Sequence, residues 1–374
     1  MPLENIHIFN DANGFYSANT KKYVDAISPH NNVFLNTSAL CKHKVEDIFY
    51  TSAREFLEEK QIGLKRVIFH SYSYHDIKTL KLLKSKFKDV IFVWIFWSHE
   101  YYQLPEHFDT LYQGFSRRFL LRKKISFHVE QLLSFFRGQA RYPFYMGLKK
   151  FRKSFSDFHL FGAFLEGDYD IVMGEDRRVQ FLFSSYLTLA DFPAKKIDEG
   201  GSATDIMVGH SGTPICNHYE IIRDLTELNL SNKIYVPMAY GKKEYIRQLS
   251  LAIIKLANPH VTLVKNFMTK EKYYESIENV GFFILNSACQ QALGNIVYFL
   301  WTGAKIFLQK KTSTYKTLKK LSFHVYSIED DLSKEGLTIL TLNEKKHNRE
   351  LISSMISEEN VKNQWLKILN YELQ

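Results

Sequence analysis

The stretch Asp205 to Gly241, DIMVGHSGTPICNHYEIIRDLTELNLSNKIYVPMAYG, reads as strand, small-residue turn, helix and second strand, which together spell a βαβ unit. The apolar run Ile206 to Val208 feeds Gly209, His210, Ser211 and Gly212, where a missing Cβ lets the backbone approach a ligand closely. A helix follows from about Asn217, and its free N–H groups favour a phosphate or diphosphate. The loop is neither GxGxxG nor GxxxxGK[ST], so the dinucleotide and P-loop readings have no support.

Working outward, the same alternation recurs along the chain. In the first half strand patterns fall at residues 5–9, 32–36, 66–70 and 90–97, with helical patterns at 20–27, 44–59 and 76–87. The run VIFVWIFW at 90–97 is apolar throughout, as expected of a strand covered on both faces. Residues 169–174 (YDIVMG) read as a further strand and 177–186 as a helix. The segment 190–204, with Pro193, Gly200, Gly201 and Ser202, has linker chemistry. Beyond it strands are expected at 206–208, 233–237, 261–264, 281–285, 305–308 and 325–328, and helices at 217–228, 242–256, 270–278, 294–302 and 312–321. A chain of 374 residues exceeds what one core usually organises. The expected architecture is α/β: two doubly wound, Rossmann-like domains, 1–190 and 205–374, facing an interdomain cleft.

Three cysteines, Cys41, Cys216 and Cys289, stand far apart with no CxxC pair, which suits a reducing cytoplasm. The N-terminus MPLENIHIFND carries an early acid and runs straight into a strand pattern, unlike a signal peptide. The uncharged run 280–304 is long enough to cross a bilayer, but Asn286, Ser287, Gln290, Gln291 and Asn295 interrupt it. It reads as strand, loop and buried helix.

Charge is concentrated in one place. Residues 117–153 hold eleven Lys and Arg against the single acid Glu130, enough to account for the net charge of +9 of the whole chain. Phe115, Phe119, Phe127, Phe135, Phe136, Tyr142, Phe144, Tyr145 and Phe151 are interleaved with them. Such a surface, here 112–160 with Arg117, Arg118, Arg122, Lys123 and Lys124 at its start, fits an anionic membrane or a lipid-linked anionic substrate. A solvated helix face over a core of aromatics is the plainer alternative. Nucleic acid is not expected, because no RNP, helix-turn-helix or finger pattern accompanies the charge.

A second small-residue loop, NSACQQALGN at 286–295, again joins a strand to a helix. Gly294 and Asn295 would present N–H groups to a diphosphate, and Gln290 and Gln291 would hydrogen-bond a sugar or phosphate. Tyr240, in PMAYG at the carboxyl end of a strand, is placed to stack on a base or to pack. In FWSHEYY, His99 and Glu100 follow a buried strand, where an imidazole or carboxylate can deprotonate an acceptor hydroxyl. His70, and Asp11 with Asn13, occupy equivalent positions after their strands. The DxD of Asp168 to Asp170, a metal-holding spacing elsewhere, is discounted because it precedes its strand. No HExxH, GxSxG or paired-Cys site gives hydrolase or zinc chemistry a foothold.

In DIMVGHSGTPICNHYEII with KIYVPMAYG, in FFILNSACQQALGNIV and in VWIFWSHEYY, the chain resembles the bacterial TDP-4-acetamido-4,6-dideoxygalactose (Fuc4NAc) lipid II transferases of glycosyltransferase family 56. Those enzymes act in enterobacterial common antigen synthesis. The matching positions are Gly209, Ser211, Gly212, Asn217 and His218, then Pro237, Met238 and Tyr240, then Gln290, Gln291 and Gly294. The resemblance implies a GT-B fold, with the N-terminal domain taking a polyprenyl-diphosphate-linked glycan acceptor and the C-terminal domain a TDP-sugar. It implies a peripheral enzyme on the cytoplasmic face of the membrane, with no metal and no cofactor beyond its nucleotide-sugar donor. His210, Thr213, Ala239 and Glu100 depart from the family's Asn, Asp, Gly and Asp, so the sugar is open. A sugar-nucleotide epimerase of the same architecture and a non-catalytic binder of anionic polymer or membrane are the alternatives.

Overall fold

The computed structural model describes residues 4–10, 15–29, 31–38, 44, 46–59, 63–102, 104–122, 144–193 and 202–372. The chain packs as two compact units, each with its own parallel sheet. The first comprises Met1–Leu104, Pro143–Thr188 and Ile356–Gln374; the second comprises Pro105–Tyr142 and Leu189–Met355.

The first unit carries strands β1 (Asn5–Phe9), β2 (Asn32–Asn36), β3 (Ile48–Phe49), β4 (Arg66–His70), β5 (Ile91–Ile95), β6 (Leu160–Ala163) and β7 (Gln180–Phe183). Its first helices are α1 (Phe15–Ile27), α2 (Ala53–Glu59), α3 (Ile77–Lys86) and α4 (His99–Tyr102). Helices α5 (Phe108–Leu111) and α6 (described over 114–122) then belong to the second unit, and α7 (Phe144–Lys153) and α8 (Glu166–Met173) return to the first. The second unit continues with β8 (Asp205–Val208), α9 (His218–Glu227), β9 (Ile234–Pro237), α10 (Lys243–Ile254), β10 (Val261–Val264) and α11 (Lys270–Ser276). It is completed by β11 (Val280–Leu285), α12 (Leu293–Thr302), β12 (Lys305–Leu308), α13 (Ser313–Lys320), β13 (Tyr326–Ser327), α14 (Ile328–Asp331) and α15 (Leu342–Met355). Helix α16 (Glu358–Leu369) closes the chain on the first unit.

The sheet orders are β3-β2-β1-β4-β5-β6-β7 and β10-β9-β8-β11-β12-β13. In each, the chain winds outward to one side and then returns to wind the other way, so the direction reverses between β1 and β4 and between β8 and β11. At such a reversal the loops leaving two adjacent strands part, which opens a crevice at the carboxyl edge. Helix α9 shows how sequence drives the layering. Its buried residues His218, Ile221, Ile222 and Leu225 recur at helical spacing, while Arg223, Asp224 and Glu227 stay at the surface.

The aromatic richness has a structural outlet in the first unit. Trp94 on β5 is packed by Phe96, Phe155, Phe158 and Phe161 at ring separations of 4.9 to 5.7 Å. Tyr72 joins this core and its hydroxyl meets Ser154 Oγ at 2.8 Å.

Several expectations are corrected. Residues 169–174 form the end of helix α8, begun by Glu166 and Asp168 in its first turn and stopped at Gly174 (φ +58°). Residues 180–183 form β7, where a helix was expected. The pattern at 44–59 divides into β3 and the short α2. The continuous domains 1–190 and 205–374 are also interrupted. Residues 356–374 return to the first unit because α16 buries Val361, Trp365, Ile368 and Leu369, with Trp365 Nε1 donating to Ser185 O at 3.0 Å. The segment from Pro105 joins the second because Phe119 enters the core formed by Ile206, Val208, Ile221 and Val236.

Candidate active site

The two loops singled out in sequence leave β8 and β11, the adjacent strands at the reversal of the second sheet. They are braced to each other. Gly209 N donates to Ile284 O at 2.9 Å, Asn217 Nδ2 to Asn286 O at 3.0 Å, and Asn286 Nδ2 to Asn217 O at 3.1 Å. The loop after β9 is tied in as well, since Gly212 N donates to Tyr240 O at 2.7 Å and Lys242 N to Gly212 O at 3.0 Å.

The glycines serve this bracing before any ligand. A Cβ on Gly209, whose φ is +70°, would sit 2.6 Å from His218 Nε2, and one on Gly241 (φ +133°) would strike the Gly212 carbonyl. His218 is fully buried behind Gly209, with Nδ1 3.4 Å from Tyr245 OH, so it supports the loop from inside. Its Nε2 makes no hydrogen bond among the described residues.

On the open side stand half-buried His210 and Tyr240, the latter 56% exposed, with ring centroids 6.5 Å apart. In the second loop Ala292 takes a left-handed conformation (φ +52°) and starts α12. The N–H groups of Leu293, Gly294 and Asn295 fall in that first turn, ahead of Ile296 N, which bonds Ala292 O. A Cβ on Gly294 would meet open space. The Asn295 side chain is engaged by Tyr273, whose hydroxyl donates to Oδ1 at 3.0 Å. Gln290 is buried and Gln291 half-buried, Nε2 of the latter 3.9 Å from Cys289 Sγ. Ser287, not singled out from sequence, is buried in the same loop with an Oγ that has no partner among the described residues. A lone Ser in sequence does not signal a buried hydroxyl left open in this way.

Asn217 was noted as a match, without a physical role. At φ +44° it accepts from Gln113 N (2.9 Å) and donates to Leu111 O (2.9 Å) as well as Asn286 O, so it ties the segment before α6 to the two loops. Gln309, at the end of β12, completes the node by donating to Asn286 Oδ1 at 2.8 Å.

At the carboxyl edge of the first sheet, Glu100 is buried and accepts from Trp97 N (2.8 Å) and Trp94 Nε1 (3.2 Å). Burial, with the nearby Asp168 carboxylate, pushes its carboxyl up to about 8, against those hydrogen bonds. His99 is half-exposed, its Nε2 3.1 Å from Ser71 Oγ and its Nδ1 3.7 Å from Glu100 Oε2. Burial of the ring lowers its pKa, so it is uncharged near neutrality. His70 does not stand open after β4: it is buried in a chain running from Tyr186 OH to His70 Nδ1, His70 Nε2 to His7 Nδ1 (2.9 Å) and His7 Nε2 to Asn32 Oδ1 (3.3 Å). Burial pushes His7 down to about 3 and His70 well below its usual value, so both rings are neutral and the chain has one direction of donation. Asp11 and Asn13 lie outside the described residues. In the DxD, Asp168 is buried against Tyr102 OH while Asp170 pairs with Arg177, so the two carboxylates serve different partners.

Arg117, Arg118 and Arg122 are exposed on α6, opposite buried Ser116 and Phe119, and Arg117 pairs with Asp109 at 2.8 Å. Lys123 and Lys124 lie outside the described residues. On α7, Lys149, Lys150, Arg152 and Lys153 are exposed around the buried Phe151. Among the described residues no helix is long and apolar enough to cross a membrane.

Solved structures of similar fold span nearly the whole chain. The N-terminal domain of Candida albicans trehalose-6-phosphate phosphatase is 9% identical over 99% of this chain and 97% of that one, at a TM-score of 0.63. An apo structure of OtsA is 8% identical over 99% and 100%, at 0.62. Anabaena HepE in complex with UDP and glucose is 10% identical over 98% and 99%, at 0.60. Identities this low speak to fold alone, and with two parallel Rossmann-like sheets that fold is GT-B. A search of curated proteins gave no match. The sequence family described as 4-alpha-L-fucosyltransferase, glycosyl transferase group 56, matches residues 167–372, more than half of the chain. The chain is a glycosyltransferase of the GT-B fold, and it belongs to glycosyl transferase group 56, the 4-alpha-L-fucosyltransferase family.

Proposed function

We propose that this enzyme moves a deoxyamino sugar of the Fuc4NAc type from a TDP-sugar to a polyprenyl-diphosphate-linked glycan acceptor in surface polysaccharide synthesis. The observation that carries the reading is the braced pair of loops at the reversal of the second sheet. Oriented N–H groups at the start of α12 and the buried, unpartnered Ser287 hydroxyl belong to these loops at the edge where a diphosphate would lie, with Ser211 and Thr213 bonded to each other in the first loop. Fixed dipoles of this kind stabilise the charge that develops as the sugar–diphosphate bond breaks. The similar HepE structure was solved with UDP and glucose, which supports a nucleotide-linked donor.

At the edge of the first sheet His99 is the candidate base. Its uncharged imidazole takes the proton from the acceptor hydroxyl as that oxygen attacks the anomeric carbon, while Ser71 Oγ, 3.1 Å from its Nε2, orients the ring and Glu100 stays buried beside it. Tyr240 contacts the base or sugar of the donor. The basic faces of α6 and α7 hold the enzyme at the anionic cytoplasmic face of the membrane, where a lipid-linked acceptor resides. An epimerase or a non-catalytic binder does not fit membership of a glycosyltransferase family.

Thermal unfolding with TDP, UDP and GDP tests the donor assignment. TDP is expected to raise the melting temperature most, by the stabilisation that ligand binding confers on the native state. The reading is overturned if none of the three raises it.

A further inference from the structure

Cys216 has no part in the transfer chemistry above, yet its environment in the first loop is unusual for a buried thiol. It has no exposed surface, and three polar groups converge on its sulfur: His210 Nδ1 at 3.4 Å, Thr213 Oγ1 at 3.6 Å and Ser211 Oγ at 3.8 Å. Ser211 Oγ is in turn 3.2 Å from His210 Nε2 and 2.9 Å from Thr213 Oγ1. A neutral thiol is a weak acceptor, whereas a thiolate satisfies several donors at once. Both nitrogens of His210 also face protein groups, an arrangement that an imidazolium meets with an N–H at each. The other titratable groups around the pair are His218 from α9, Tyr245 from α10 and Tyr240 from the loop after β9.

We propose that Cys216 is a positioning residue of the donor loop, its sulfur acting as a thiolate that holds His210 as the imidazolium facing the donor diphosphate. The proton that leaves Sγ rests on His210 Nδ1, so the pair is neutral overall. Its negative end is sealed inside and its positive end lies on the half-buried side, near Tyr240. Burial pushes the thiol up, but the imidazoles of His210 and His218 bring it well below its usual value. Burial likewise pushes His210 down, and the sulfur more than reverses this. The pair thereby supplies a fixed dipole, positive at His210, at a position where the family that this chain resembles carries Asn. The proposal rests on the donor reading of this loop.

The test compares wild type with Cys216→Ala, Cys216→Ser and His210→Asn. Ultraviolet thiolate absorbance is read without ligand, and TDP affinity is measured by calorimetry from about pH 6 to about pH 8.5, the range in which a histidine changes charge. The wild-type minus Cys216→Ala difference spectrum is expected to show a thiolate at neutral pH. Both Cys216 variants should bind TDP about tenfold more weakly than wild type at the alkaline end, as for loss of a neighbouring positive charge, with the gap narrowing as pH falls. Should Cys216→Ala fail to fold, Cys216→Ser carries the comparison. Absence of the thiolate signal, or superimposable pH profiles with TDP bound normally, overturns this proposal alone. Failure of wild type to bind TDP overturns the donor reading and this proposal with it.

Discussion

Glu100 and His99 are adjacent in sequence and opposite in state. A carboxyl whose pKa rises from 4.5 to about 8 on folding holds its proton more tightly in the native state, so its contribution to stability is fully present below about pH 4.5. That contribution is lost as pH rises through about 8. Urea unfolding should therefore show wild type losing on the order of 5 kcal/mol relative to Glu100→Gln across that window. Because the carboxyl is already neutral at pH 7, Glu100→Gln should keep transfer within about threefold of wild type. His99→Ala should lower kcat about 100-fold or more, the usual worth of a general base. Equal losses in the two variants would remove His99 from that role. Sequence reading brought the two residues to the carboxyl edge of the first sheet but could not separate them, because the distinction lies in what Trp94 and Trp97 do to Glu100.

At the scale of elements, the Asn217 node makes a sharp prediction. Asn217→Ala leaves Gln113 N and Leu111 O without that partner and Asn286 O with Gln309 Nε2 alone, at a cost of about 2 kcal/mol in stability. Hydrogen exchange should accelerate at Gln113 and along α6 while β1 to β7 remain protected; unchanged exchange at Gln113 would contradict the node. Strands and helices were legible where apolar periodicity was strong, as in β5, β11 and α9. They were not where the buried face is polar. Helix α15 buries Lys345, Asn348 and Ile352, with Asn348 bonding both the N–H and the carbonyl of His324, so no apolar stripe announces it. The misread 169–174 has the opposite character, a short apolar run whose length suits strand and helix alike. Both loops stand out in sequence by their small residues, although the glycines of the first are required by loop-to-loop contact.

For the whole molecule, the two Rossmann-like halves were legible from the repeated alternation, but their interleaving was not. Segments such as 356–374 change unit through a few anchors, here Trp365 against Ser185, and the apolar stripe of α16 does not itself say which sheet it covers. The placement of positive charge was legible, and its outward face on α6 is consistent with a membrane surface. Replacing Arg117, Arg118 and Arg122 with Ala removes about 1 kcal/mol each from attraction to an anionic bilayer, so partitioning should fall roughly 100-fold. Sedimentation with vesicles containing phosphatidylserine checks this, and undiminished sedimentation of the triple variant would exclude α6 as the contact.

The central claim is that the second unit holds the donor diphosphate between the loops that leave β8 and β11. A crystal structure of the enzyme soaked with TDP tests it most directly. Density for the diphosphate is expected against the first turn of α12 and the loop of Gly209 to Thr213, within hydrogen-bond reach of Gly294 N and Ser287 Oγ. A TDP molecule bound instead at the edge of the first sheet, beside His99, would contradict the claim.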